Sequence, residues 1–102
     1  MNRLPVFEDT VWDYTRHHGT LQYFTNISFA GCEYRIVLGL GVKRFHVDLY
    51  SGTVRRMTMT VEMFDIRLVD LERFAFDSVV YYLSQATSLV DAIQDPLPYW
   101  QH

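Results

Sequence analysis

LQYFTNISFAGCEYRIVLGLGVKRFHVDLYSGTVRRMTMTV, residues 21–61, is the stretch that decides the fold. It divides into Leu21–Phe29, Glu33–Leu38, Lys43–Tyr50 and Thr53–Val61, each rich in β-branched and aromatic residues. Between them stand Ala30-Gly31, Gly39-Leu40-Gly41 and Ser51-Gly52, which are turn formers. Turn signals recurring at about ten-residue intervals between alternating segments indicate an antiparallel meander.

Side chains on a strand alternate between faces, so a correct register sets apolar residues against apolar residues. A two-residue loop at Ala30-Gly31 places Ile27 against Tyr34 and Thr25 against Ile36. A two-residue loop at Leu40-Gly41 places Ile36 against Phe45 and Tyr34 against Val47. A three-residue loop with Gly52 in a left-handed bulge position sets Phe45 against Met57. One mainly apolar face results, with Lys43 and Arg55 as its misfits; both have stems long enough to lie on apolar surface.

The other face is polar. In these registers one row holds Arg35, His46 and Arg56, with Glu33 and Asp48 on one side and Arg44 on the other. Two guanidinium forks beside an imidazole suit a carboxylate or phosphate, so these six residues form the candidate partner surface. The same face reads equally as solvated sheet with weak cross-strand ion pairs.

Outward from the strands, Asp77–Asp95 carries Val79, Leu83, Ala86, Val90 and Ile93 at spacings of four, three, four and three, widened by Tyr82 and Leu89. That period predicts an amphipathic helix packed on the apolar face. Asp77 or Ser78 caps its start, and Pro96 and Pro98 forbid its continuation. Asp70–Phe76 either begins this helix or forms a separate turn. After Val61 the apolar alternation changes phase near Met63, as a bulge or a new strand would require. In the other direction, His17-His18-Gly19-Thr20 reads as a turn. Before it, Thr10–Arg16 favours a strand that sets Tyr14 against Tyr23, although Phe7, Val11 and Tyr14 also sit at helical spacing. The fold class expected is α+β: five to six antiparallel strands and one long C-terminal helix, in a single domain of 102 residues.

The composition supports a real core, with 49% apolar and 16% aromatic residues. The net charge of −3 speaks against a dedicated nucleic-acid binder. The bases are eight Arg and one Lys, which a GC-rich coding bias or a partner-facing surface would each produce. One cysteine, Cys32, excludes an internal disulfide; it reads as buried and inert opposite Leu49, in a chain suited to the cytoplasm. No secretion-signal pattern or membrane-length apolar run stands in the sequence. His46-x-Asp48, His17-His18 and His102 fall short of a metal-site pattern, and Gly39-Leu40-Gly41 precedes a strand, not the helix a phosphate loop needs. No cofactor is expected, and no catalytic constellation is present.

A small acidic domain of this kind suits a non-catalytic protein-binding module: an inhibitor, an immunity protein or a phage anti-defence protein that blocks a partner's functional surface, such as a basic one. The aromatic tail, with Tyr99 and Trp100, is a second candidate surface. The alternative is a small-molecule binder or small enzyme with a pocket between sheet and helix, lined by Trp12, Tyr14, Tyr23 and Tyr82. A third arrangement is a homodimer through an edge strand.

Overall fold

The computed structural model describes residues 4–17, 19–41, 43–62 and 67–94, with side chains for all of these but 17 and 87–94. A 3-10 turn, Phe7–Asp9, leads into five strands: β1 (Asp13–His17), β2 (Thr20–Phe29), β3 (Cys32–Leu40), β4 (Arg44–Ser51) and β5 (Val54–Glu62). One helix, α1 (Leu68–Gln94), follows. The strands form a single antiparallel sheet in the order β1-β2-β3-β4-β5. The protein is therefore an α+β meander with one C-terminal helix. The segment before β2 uses both of its local preferences: Phe7 enters the 3-10 turn, and the strand begins only at Asp13.

The first two hairpins close as their turn residues dictate. Tyr14 pairs with Tyr23, and beyond Phe29–Cys32 the chain turns through Ala30 (φ 52°) and Gly31 (φ 80°). Two successive positive φ values make a type I′ turn, whose twist matches that of the flanking strands.

The third and fourth strands depart from the expected registers. Leu40 continues β3 and pairs with Phe45, and the Gly41 N–H donates to the Arg44 carbonyl at 2.8 Å. The hairpin thus closes two residues later than a Leu40-Gly41 loop would. Ile36 meets Leu49 and Leu38 meets Val47, in place of Ile36 against Phe45. The reason is burial: Ile36, Leu38, Val47 and Leu49 are all fully shielded from solvent in this register. Each fully buried aliphatic side chain contributes about 1.5–3 kcal/mol. Lys43 drops out of the sheet into the exposed turn.

Between β4 and β5, Ser51 pairs with Val54 around Gly52 (φ 62°) and Thr53, a two-residue turn and not the three-residue loop expected. The extra residue sits further along. Tyr50 pairs with Arg55 and Leu49 with Met57, so Arg56 is the bulged residue. This bulge takes Arg55 off the apolar face and keeps Met57, Met59 and Val61 on it, with Phe45 against Val61 and not Met57.

α1 covers the apolar face. It begins nine residues before Asp77, since Arg67 opens it: the Arg67 carbonyl accepts from Asp70 and Leu71, and its Nε donates to Asp70 Oδ2 at 3.0 Å. Leu71, Ala75, Phe76, Val79 and Leu83 are buried against Ile27, Phe29, Ile36, Leu38, Phe45, Val47 and Leu49. Phe74 meets Phe45 edge-on at 5.8 Å, and Phe7 meets Phe76 likewise. Arg73 ties the 3-10 turn to the helix through Glu8 (3.3 Å) and the Phe7 ring (5.3 Å). Of the expected stripe, Val79 and Leu83 are buried and Ala86 is half-buried; the side chains of Val90 and Ile93 lie outside the described residues. The phase change near Met63 falls on residues 63–66, also outside them.

Candidate functional site

Because the β3–β4 turn moved by an even number of residues, every side chain kept its expected face on β3 and β4, but the rows changed. Arg35 stands beside Asn26 and Tyr50, not beside His46. His46 lies four residues further along β4, about 13 Å away at strand rise, between Gly39 and Thr60. The expected Arg35–His46–Arg56 row does not exist. Arg56, carried by the bulge, borders a cleft under the helix.

On the polar face each remaining candidate has a defined setting. Arg35 Nε donates to Asn26 Oδ1 at 3.1 Å, and its guanidinium lies over the Phe24 ring at 4.9 Å. Glu33 accepts a hydrogen bond from Ser28. Arg44 pairs across the sheet with Glu62. His46 is packed so closely over Gly39 that a methyl group on residue 39 would overlap the imidazole.

Asp48 is the exception among them. It lies mid-sheet between Val37 and Thr58, with His46 and Tyr50 on either side along β4. It is 8% exposed, although it is on the face the helix does not cover. Its Oδ2 is 3.9 Å from His46 Nε2, beyond hydrogen-bond reach, and its Oδ1 is buried with no hydrogen-bond partner among the described residues. A buried polar oxygen without a partner costs about 1–3 kcal/mol, more when charged. Asp48, Arg35, Glu33, Asn26, Gln22 and Tyr50 line one open depression of about 810 Å³. The sequence places Asp48 on this face, but its burial follows from the register and is not visible in composition.

A second cavity, of about 330 Å³, opens between the sheet end and α1. It is lined by Ala30, Cys32, Tyr34, Arg56, Tyr82, Leu83 and Ala86. Cys32, expected to be buried against Leu49, is instead exposed at the strand end, because the shifted register gives Leu49 to Ile36. Burial, together with the Cys32 side chain, pushes the Tyr34 phenol above its ordinary pKa, and the Arg56 charge partly opposes this. Tyr82 donates to the Arg56 carbonyl at 3.1 Å. The four aromatics expected to share a pocket do not meet there. Tyr14 is 70% exposed on β1 and leans on Tyr23 at 5.9 Å, while Tyr82 is at the β5 side.

Among the described residues no group of three or more His, Cys, Asp or Glu side chains could hold a metal ion. No described helix is long and apolar enough to cross a membrane. Tyr99 and Trp100 lie outside the described residues. Comparison with protein-family models, with curated proteins and with solved structures gives no match.

Proposed function

We propose that this protein is a non-catalytic binding module that engages another protein through the polar face of its sheet. The observation that carries the reading is the one-sided architecture: α1 packs on one face, and the opposite face presents a depression lined by Asn26, Glu33, Arg35, Asp48 and Tyr50. Tyr and Arg are the residues that most often anchor protein interfaces. An inhibitor, immunity or anti-defence role is the form this takes: a small cytoplasmic domain that occludes a partner's working surface. The test compares tagged wild-type protein with an Arg35→Ala/Tyr50→Ala double variant in the cells that express it. A partner held by the wild type and lost from the double variant, with thermal stability within a few degrees, supports the reading. Retention of the partner by the double variant, or its loss only from Tyr99→Ala/Trp100→Ala, overturns it.

A second reading draws on the cleft beside Arg56. A guanidinium, two phenols and an apolar floor of Leu83 and Ala86 suit a small organic anion. An Arg56→Ala variant that loses binding of such an anion, found by screening against the purified protein, would favour it.

A further inference from the structure

We infer that Asp48 is the receptor for a single basic side chain, lysine or arginine, presented by the partner; this rests on the polar-face reading above and names the chemistry it takes. Four observations converge. Asp48 is 8% exposed as a residue and 12% exposed in its side chain, and one carboxylate oxygen has no hydrogen-bond partner among the described residues. That oxygen belongs to a residue that lines the open depression of the polar face, and it lies just beneath the surface. The charged residues that line the depression are Glu33, Arg35 and Asp48, two acids to one base, and Arg55 stands at its border opposite Tyr50. Arg35, the one base that lines it, is drawn away toward β2 by Asn26 and the Phe24 ring, and leaves Asp48 unneutralised.

The imidazole nearest Asp48 is held by packing and not by hydrogen bonds. The His46 side chain makes no hydrogen bond among the described residues, and its Nε2 stands 3.9 Å from Asp48 Oδ2. It rests on Gly39, where the missing side chain gives the ring room. An ammonium or guanidinium entering between His46 and Tyr50 would displace the imidazole and supply Oδ1 with the donor it lacks, in a charge-assisted hydrogen bond. A partner anion would meet the opposite: a buried carboxylate with no compensating cation.

The experiment is an amide-resolved NMR titration with N-acetyl-arginine amide and N-acetyl-lysine amide, with N-acetyl-citrulline amide as the neutral isostere. We expect saturable shifts centred on Val37, His46, Asp48 and Thr58 for the two cations and none for citrulline. Asp48→Asn should weaken cation binding by about tenfold or more, and His46→Ala, which keeps the carboxylate, should retain it. Shifts that scatter over the acidic surface, that survive Asp48→Asn, or that citrulline reproduces, overturn the inference. Its failure is separable from that of the polar-face reading. If Asp48→Asn keeps a partner that Arg35→Ala/Tyr50→Ala loses, the face binds but not through a basic group. If both variants keep it, the face itself is wrong.

Discussion

Ala30 is the residue with the plainest local conflict. At φ 52° it is the one non-glycine among the described residues in the left-handed region, where a Cβ crowds the following carbonyl. Ala30→Gly or Ala30→Asn relieves that strain and should raise stability by about 0.5–1 kcal/mol, read as a shift in the urea midpoint at unchanged slope. Gly39 is the converse case, kept small by a neighbour. Gly39→Ala forces the His46 ring off its seat and should cost about 1–3 kcal/mol as overpacking does. His46→Ala in the same chain should remove most of that loss, and a double-mutant cycle on thermal unfolding measures the coupling. If Gly39→Ala costs the same with and without His46, the strand backbone and not the ring sets its requirement.

At the scale of elements, α1 is held by its first four turns. Leu83, 4% exposed, should cost about 2–5 kcal/mol when cut to alanine, whereas Tyr81, 69% exposed on the outer side, should cost little. Glu72 works against the helix it sits in. Burial raises its pKa above the ordinary 4.5, so the folded chain binds this proton more tightly than the unfolded one. The contribution is favourable below about pH 4.5 and is lost as the pH rises through the folded value. Glu72→Gln should therefore raise the melting temperature near neutral pH and change it little near pH 3. The elements also show where sequence reading stops. Which face each residue of β3 and β4 occupies is legible, because alternation is local and survives an even shift of the turn. Which residues share a row is not. Gly39-Leu40-Gly41 offers two glycines as the turn, and the burial of Ile36, Leu38, Val47 and Leu49 moves it on. The bulge at Arg56 has no glycine to announce it, and it removed Arg56 from the candidate surface. The helix start is half legible: Asp70–Phe76 is one of the two beginnings the sequence allows and the structure has it in α1, but Asp77 and Ser78 look like caps, whereas Arg67, just before the true start, is not a capping residue type.

For the whole molecule, each strand pairs with the one before it in the chain, so every sheet contact closes by a hairpin. Local pairing lowers the entropy of loop closure and speeds folding for a β-rich domain. Refolding from urea should be a single exponential on the millisecond-to-second scale, read by stopped-flow fluorescence. One-sided coverage divides the molecule's tolerance in the same way. Substitutions at Ile36, Leu38, Val47 or Leu49 should act on stability, and those at Arg35 or Tyr50 on association.

The helix lies after all five strands in the chain, and synthesis proceeds in that order at about 5–20 residues per second. β5 is complete about 0.5 to 4 s before Leu71, Phe76, Val79 and Leu83 have been added. The nascent sheet then exposes the side chains of Ile36, Leu38, Phe45, Val47 and Leu49 with nothing of its own to cover them. A message truncated after Glu62 would yield a chain held permanently in that condition. Its product should accumulate in inclusion bodies or on trigger-type chaperones, and supplying residues 67–94 as a separate peptide during translation should return it to the soluble fraction.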